Sequence, residues 1–506
     1  MATVDWSDQK LKRESPLPSE EYVVKAMPSL LNTLDMTALY LVSIFFIVNA
    51  VSAATAGPAG FTYWLLCGIT FFVPCAIATA QLAVMFPHEG SLYNWTHKAL
   101  GGYWSFFIGF CAWFPGVLVM ISGADAVVTC VQALNPNWLV APWQQGVLII
   151  ALIAFSALVS VQSFRVVQNT VNIVMGLTLL ATAIVILAGL AWLISGHPSA
   201  TNFADFSQWN ISWNPKTTNI GLFGTITLAY LGTEVPLNMG GEITGRKVVT
   251  RHLLYGTLLV LGAYLLTTLA LLIVEGQTGA MNAANPAALL ILTVDTAFGA
   301  NPVGKFLGSI TALGIIGFFV IVPIVYNYAF ARLLLVAGID QRLPVGIGKL
   351  NKQRVPSNAI YFQSTVTIGL TAIIFFLVPY VAHLGDPAAL ANEIYFVVQA
   401  ATTLVWAVSC TFFFVNLSVF YRRDRRSFHL HRIFPMPVLV ICSIIGPIAC
   451  FAAIVDTLLN SWIIMLIDDA HWWYIVGGLT LFCLIIAALG SMFATSEAAW
   501  EGLSSK

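Results

Sequence analysis

Long apolar runs broken by short polar turns dominate the chain. A helix that crosses a bilayer needs about 20 predominantly apolar residues. Twelve segments meet or nearly meet that length: 36–56, 60–86, 103–134, 143–160, 166–195, 220–239, 253–274, 306–331, 359–381, 394–421, 433–455 and 472–495. Turn formers separate them, as at Gly57-Pro58, Asn135-Pro136 and His197-Pro198. Within these runs only Asp125 and Glu234 carry a charge. The pattern predicts an all-α polytopic membrane protein with twelve transmembrane helices.

Composition agrees. Of 506 residues, 58% are apolar and 9% charged, with mean hydropathy +0.85, whereas soluble domains are about 25% charged. The 22 basic and 22 acidic residues cancel, which removes nucleic-acid binding driven by bulk charge. Twenty of the 22 Lys and Arg fall in the amino-terminal tail, in loops after even-numbered spans, or at the carboxyl end; Lys216 and Lys305 lie opposite. That bias places both termini in the cytoplasm and the chain in the plasma membrane, such as a bacterial inner membrane. The eight cysteines sit in apolar stretches with no C-x-x-C, so they read as small hydrophobes and no metal or cofactor is expected. No span holds an H-E-x-x-H, a G-x-S-x-G or a paired-Asp motif, so the chain is not read as an enzyme.

Two spans carry residues that loosen a helix. Ala229-Tyr230-Leu231-Gly232-Thr233-Glu234-Val235-Pro236 sets a glycine, an acid and a proline mid-span, favouring a break near Gly232–Pro236. The weaker counterpart is the small-residue run 49–60 in the first span. Unwound backbone at matching depths of two spans is how many carriers offer N–H and C=O groups to a small solute. Close-packed helix faces with an ordinary proline kink are the alternative. The segments 201–218 and 275–305 are long enough to cap an outer vestibule.

Several stretches in register resemble the amino acid–polyamine–organocation (APC) superfamily of permeases. Ala56-Gly57-Pro58-Ala59 and then the run Gln81 to Tyr93 are similar to its AGPA…E-L-A-x-x-x-P-x-x-G-G-x-Y pattern. The sixth span resembles F-x-G-x-E. Glu242 and Arg246 resemble the following N-P-x-R loop, and Arg332 with 337–344 and Arg354-Val355-Pro356 resemble R-x-x-x-A-x-A-R-D-G-x-L-P and R-x-x-P. The resemblance implies a LeuT-like fold, with a five-plus-five inverted repeat broken in helices 1 and 6. It divides the chain into a tail (1–35), a ten-helix core (36–421), helices 11 and 12 (422–495) and a second tail (496–506). It also implies transport of amino acids or related amines by alternating access, nearest to glutamate/γ-aminobutyrate-type exchangers, by a monomer or homodimer.

By the same resemblance a substrate carboxylate would meet the backbone of Val51, Ser52 and Ala53, beside Asn49, and its ammonium that of Tyr230, Leu231 and Gly232, beside Thr233. The family's G-x-G-I-F is here Asn-Ala-Val-Ser-Ala, so its backbone-exposing glycines are missing. Glu234 is expected to change protonation or partner during the cycle, or to be a hydrogen-bonded structural acid. Asp125 either faces the substrate or bonds a neighbour near the outer interface. Arg332 either pairs with Glu242 or Asp340 in an inner gate or anchors its helix. Tyr230 is the candidate lid, whereas Trp113, Tyr326 and Trp406 read as core. From Ala312 to Arg332 there is no Ser or Thr, and Met175 stands where a proton-driven branch keeps Lys. Both point to sodium-independent exchange or facilitated passage.

Overall fold

The computed structural model describes residues 17–135, 137–212, 221–283, 285–299, 301–381, 387–463 and 467–504. Lys216 and the part of the tail up to residue 16 lie outside them. The helices in chain order are α1 (Pro18–Ala26), α2 (Thr33–Ile44), α3 (Asn49–Ala54), α4 (Ala59–Cys67), α5 (Val73–Met85), α6 (Ser91–Leu100), α7 (Gly102–Leu134), α8 (Pro142–Ser160), α9 (Phe164–Ile194) and α10 (Leu222–Leu228). They continue as α11 (Arg246–Val274), α12 (Gly276–Met281), α13 (Pro286–Phe298), α14 (Pro302–Ile339), α15 (Ser357–Ala372), α16 (Val378–Val381), α17 (Pro387–Arg423), α18 (Arg425–His431), α19 (Met436–Leu459) and α20 (Asp469–Ser504). Single π turns, Gly68–Phe72 and Ile373–Leu377, join α4 to α5 and α15 to α16.

Among the described residues ten helical stretches are long and apolar enough to cross a membrane. The two remaining predicted spans, 36–56 and 220–239, are the two that are interrupted. Many outward helix faces are apolar and exposed, as at Ile173, Leu190, Ile448 and Phe493. That is the arrangement expected where the solvent is lipid.

The first interruption lies earlier than expected. The run 49–60 does not unwind at mid-span. It forms α3, then a turn with Gly57 at φ +61°, then α4. Its small residues serve that tight turn: a Cβ on Gly60 would sit 2.3 Å from the Ala53 carbonyl oxygen. The break instead spans 45–48, Phe-Phe-Ile-Val, where no glycine marks it. Tyrosines hold it open. The Tyr264 hydroxyl accepts from the Phe46 N–H (3.0 Å) and donates to the Ile44 carbonyl (2.9 Å). The Tyr326 hydroxyl donates to the Ser43 carbonyl at 2.7 Å. Backbone groups that a continuous helix would pair internally are thus paired from α11 and α14.

The second interruption falls where the Gly–Glu–Pro signal predicts. After α10 the chain leaves helical form and resumes as a 3₁₀ segment, Pro236–Glu242. Gly232 has φ +112°, a left-handed backbone that favours glycine. A Cβ there would lie 2.9 Å from the Ser43 carbonyl oxygen, so the two breaks touch. From α19, Asp456 Oδ2 accepts from the Gly224 N–H at 2.6 Å and steadies the short α10.

The face bearing α1 and the end of α20, here the terminus face, is closed. The expected polar tail contributes α1, a docked helix: the Ser19 N–H and Oγ donate to Asp340 (3.0 and 3.1 Å), and Glu20 meets Lys98 Nζ at 2.7 Å and accepts from Asn94 at 3.0 Å. The Leu30 and Leu31 N–H groups donate to the Glu242 carbonyl, and Leu31 accepts from Thr244. At the other end α20 runs on through the segment expected to be a second tail.

Candidate functional site

A cavity of about 340 Å³ opens between the two breaks. Ser43, Ile44, Phe46, Val48 and Asn49 line it from the first break, and Leu228, Ala229 and Leu231 from the second. α7 contributes Ser122, Asp125 and Thr129; α14 contributes Phe319 and Tyr326; α17 contributes Gln399, Thr402 and Trp406. Asn285, Pro286 and Trp462 line it on the side away from the termini. Within 275–305 it is the start of α13 that lines the cavity. The segment 201–218 lies partly outside the described residues.

Of the residues singled out from sequence, Asn49, Leu231 and Asp125 line this cavity. Val51, Ser52 and Ala53 do not: they form a helical turn, with Val51 and Ala53 fully packed. Tyr230 is not a lid. It is 0% exposed, stacked on Phe72 with ring centres 4.4 Å apart, and its hydroxyl donates to the Trp64 carbonyl. Gly232 and Thr233 are backbone of the second break, and Thr233 is buried.

Glu234 is 1% exposed and stands behind the cavity wall. The indole Nε1–H of Trp406 donates to its Oε1 at 2.6 Å, while Oε2 has no partner among the described residues. Trp406 also meets Tyr326 edge to face at 6.2 Å. A cavity-lining ring thus connects any occupant to the buried acid. Tyr326 and Trp406 read as core from sequence, yet they line the cavity. The signal that could have found them is that Tyr and Trp inside a bilayer need hydrogen-bond partners, and an interrupted helix supplies them.

Among the described residues Asp125 carries the one charge on the cavity-lining side chains, and Lys, Arg and His are absent from that lining. At the closed face, Arg332 pairs with Glu242 at 2.9 Å, with side chains 1% and 4% exposed. Its guanidinium also donates to the Tyr328 carbonyl and lies 3.6 Å from that ring's centre. The expected pairing is therefore with Glu242, while Asp340 is held by Ser19. Gln168 and Asn172 tie α9 to Asp35 at the start of α2. Among the described residues no group of three or more His, Cys, Asp or Glu could hold a metal ion.

A bundle of apolar helices around two touching helix breaks and a polar-lined cavity defines a polytopic membrane protein built to admit a small solute. Residues 31–481 match the family model described as amino acid permease. The chain belongs to that family. It is 26% identical over 401 residues to the branched-chain amino acid permease BcaP of Lactococcus lactis, covering 76% of this chain and 78% of the relative. It is 24% identical over 261 residues to an uncharacterized transporter, lpg1691, of Legionella pneumophila (48% and 53%). It is 28% identical over 258 residues to the polyamine transporter PUT1 of Oryza sativa (48% and 45%). The chain thus spans about half the length of the last two relatives.

Proposed function

We propose that this chain is a secondary carrier that moves amino acids or related amines across the plasma membrane by alternating access. In this reading the chain crosses the bilayer twelve times with both termini cytoplasmic, and residues 36–421 form a LeuT-like inverted repeat, in a monomer or homodimer. The observation that carries it is the cavity of about 340 Å³ wedged between two interrupted helices that touch at Gly232 and Ser43. A carrier needs a site whose walls can part on either side, and non-helical hinges meeting at one point supply that. In this reading the terminus face, where α1 and the Arg332–Glu242 pair pack, is cytoplasmic, and the cavity faces outward.

Passage is sodium-independent in this reading. A hard cation needs oxygen ligands, and α14 between Ala312 and Arg332 supplies no hydroxyl except those of Tyr326 and Tyr328. Glu234, reached through Trp406, sets the pH response. Similarity to a branched-chain amino acid permease and to a polyamine transporter supports the substrate class.

The test is uptake into liposomes of a labelled panel of amino acids and diamines, with and without the same solute loaded inside and with sodium replaced by choline. Saturable, sodium-indifferent uptake that internal substrate accelerates is expected. Linear, non-saturating flux would refute a carrier. Transport by Glu234→Gln at wild-type rate with unaltered pH dependence would remove Glu234 from the cycle.

A further inference from the structure

The carrier reading leaves open what the cavity selects, and its charge speaks to that. Asp125 sits on α7, one helical turn from Ser122 and Thr129, and lines the cavity. Among the described residues it has no hydrogen bond or ion pair. Among the described residues no basic side chain lines the cavity to balance it. A carboxylate placed inside a bilayer is costly unless something compensates its charge, and several buried acids elsewhere in this chain have partners. Asp35 has Asn172, Asp456 has Gly224 and Asn460, and Glu242 has Arg332. Asp125 has none among the described residues, and it lines the cavity between the two breaks.

We propose that Asp125 selects a substrate of net positive charge, an amine or guanidine carrying an ammonium or guanidinium group beyond any zwitterionic pair. This deepens the carrier reading and rests on it. The rest of the lining suits such an occupant. The rings of Phe46, Phe319, Phe396, Tyr326 and Trp406 offer π faces to a cation. Thr129, Gln399, Thr402 and Thr403 supply oxygens around a donor-rich group. A zwitterion of zero net charge would leave the carboxylate uncompensated. A second carboxylate on the substrate would add repulsion. Burying the cavity during the cycle sharpens the difference, because a charge pair excluded from water is worth more than a hydrated one.

The experiment compares isosteres that differ in charge. Uptake of arginine and of citrulline, which has the same length with a neutral urea end, is measured in proteoliposomes of the wild type, Asp125→Asn and Asp125→Glu. A charge-assisted hydrogen bond is worth a factor of roughly 10–100 in affinity. The wild type should therefore show a KM for arginine at least tenfold below that for citrulline. Asp125→Asn should raise the arginine KM by that factor and leave citrulline nearly unchanged, while Asp125→Glu keeps the preference. Thermal stabilisation of the solubilised protein by arginine, absent in Asp125→Asn, gives a readout independent of flux. Equal KM values for the two solutes in the wild type overturn the proposal even if the variants fail to fold. An equal loss of both solutes in a folded Asp125→Asn overturns it too. Saturable uptake of zwitterions alone refutes cation selection and leaves the carrier intact; no saturable uptake of any solute refutes the carrier and this proposal together.

Discussion

The Arg332–Glu242 pair should set how firmly the terminus face is shut. Both side chains are buried, and the Glu242 carbonyl also receives the N–H groups of Leu30 and Leu31. Removing one partner of such a pair leaves an uncompensated charge, typically at a cost of 3–5 kcal/mol. A second acid complicates the single variant. Glu89 is buried close enough for its charge to act on Arg332; burial, then the charge of Glu242, raises its pKa well above the usual carboxylate range. In Glu242→Gln that repulsion vanishes, which favours Glu89 as a substitute partner for Arg332. The double variant Glu242→Gln/Glu89→Gln removes this reserve. If the pair is parted and hydrated when the terminus face opens, the full 3–5 kcal/mol falls on the closed state. At 1.4 kcal/mol per decade this shifts the ratio of closed to open by two to four orders of magnitude. A single cysteine at Ser122 reads the shift, because Ser122 lines the cavity and all eight native cysteines are buried. Labelling by a membrane-impermeant maleimide from the outer side should be fast with the pair intact, slower in Glu242→Gln and slowest in the double variant. Equal labelling rates in all three, with unchanged thermal stability, would refute the role given to the pair.

Tyr264→Phe deletes the hydroxyl that serves both Phe46 N–H and Ile44 C=O. It should cost about 1–3 kcal/mol in chemical or thermal denaturation, and an unchanged midpoint would show that the break does not depend on it. Gly232→Ala forces a side chain into φ +112° and to 2.9 Å from the Ser43 oxygen. A cost of about 1–3 kcal/mol or more is expected, together with loss of transport, and wild-type uptake would contradict the tight meeting of the breaks. Docking of α1 should weaken in acid. Burial pushes the Glu20 carboxyl up, but His88 and Lys98 outweigh it and hold it below its usual 4.5, so its contribution is present above that pH and is lost as pH falls through the lowered value. His88 is pushed below 6.5, by burial first, so as pH drops beneath 6.5 an undocked His88 takes up a proton more readily and further favours release. The protection factors of residues 18–26 against hydrogen exchange should therefore fall as pH drops from 7.5 to 4, and identical protection factors across that range would refute it.

Hydrophobic patterning made the long spans legible, because a lipid-facing helix must be apolar along its whole length. The second break was legible as well: Gly232 and Pro236 act on backbone chemistry that is local in sequence. The first break was not. Phe45 to Val48 has no local breaker, and the Phe46 N–H and the Ser43 and Ile44 carbonyls at the break are satisfied by hydroxyls of Tyr264 and Tyr326, more than 200 positions away. The small residues at 49–60 carried a real signal, but for a turn between helices. Asp125 and Glu234 stood out by charge alone, yet charge did not say which one faces the cavity. Tyr230 shows the converse, since proximity to a break in sequence did not put its ring in the cavity. The docking of α1 rests on Ser19, Glu20 and the backbone near Leu31 meeting distant partners, which no short-range pattern encodes.

The measurement that bears most directly on the whole account is substrate protection of a cysteine at Ser122. With the protein in liposomes, the rate of maleimide labelling is followed as a transported solute is added. If the space between the two breaks is the solute's seat, labelling slows with half-protection at a concentration near the KM for uptake of the same solute. If labelling continues at full rate when transport is saturated, the solute passes elsewhere and the account fails.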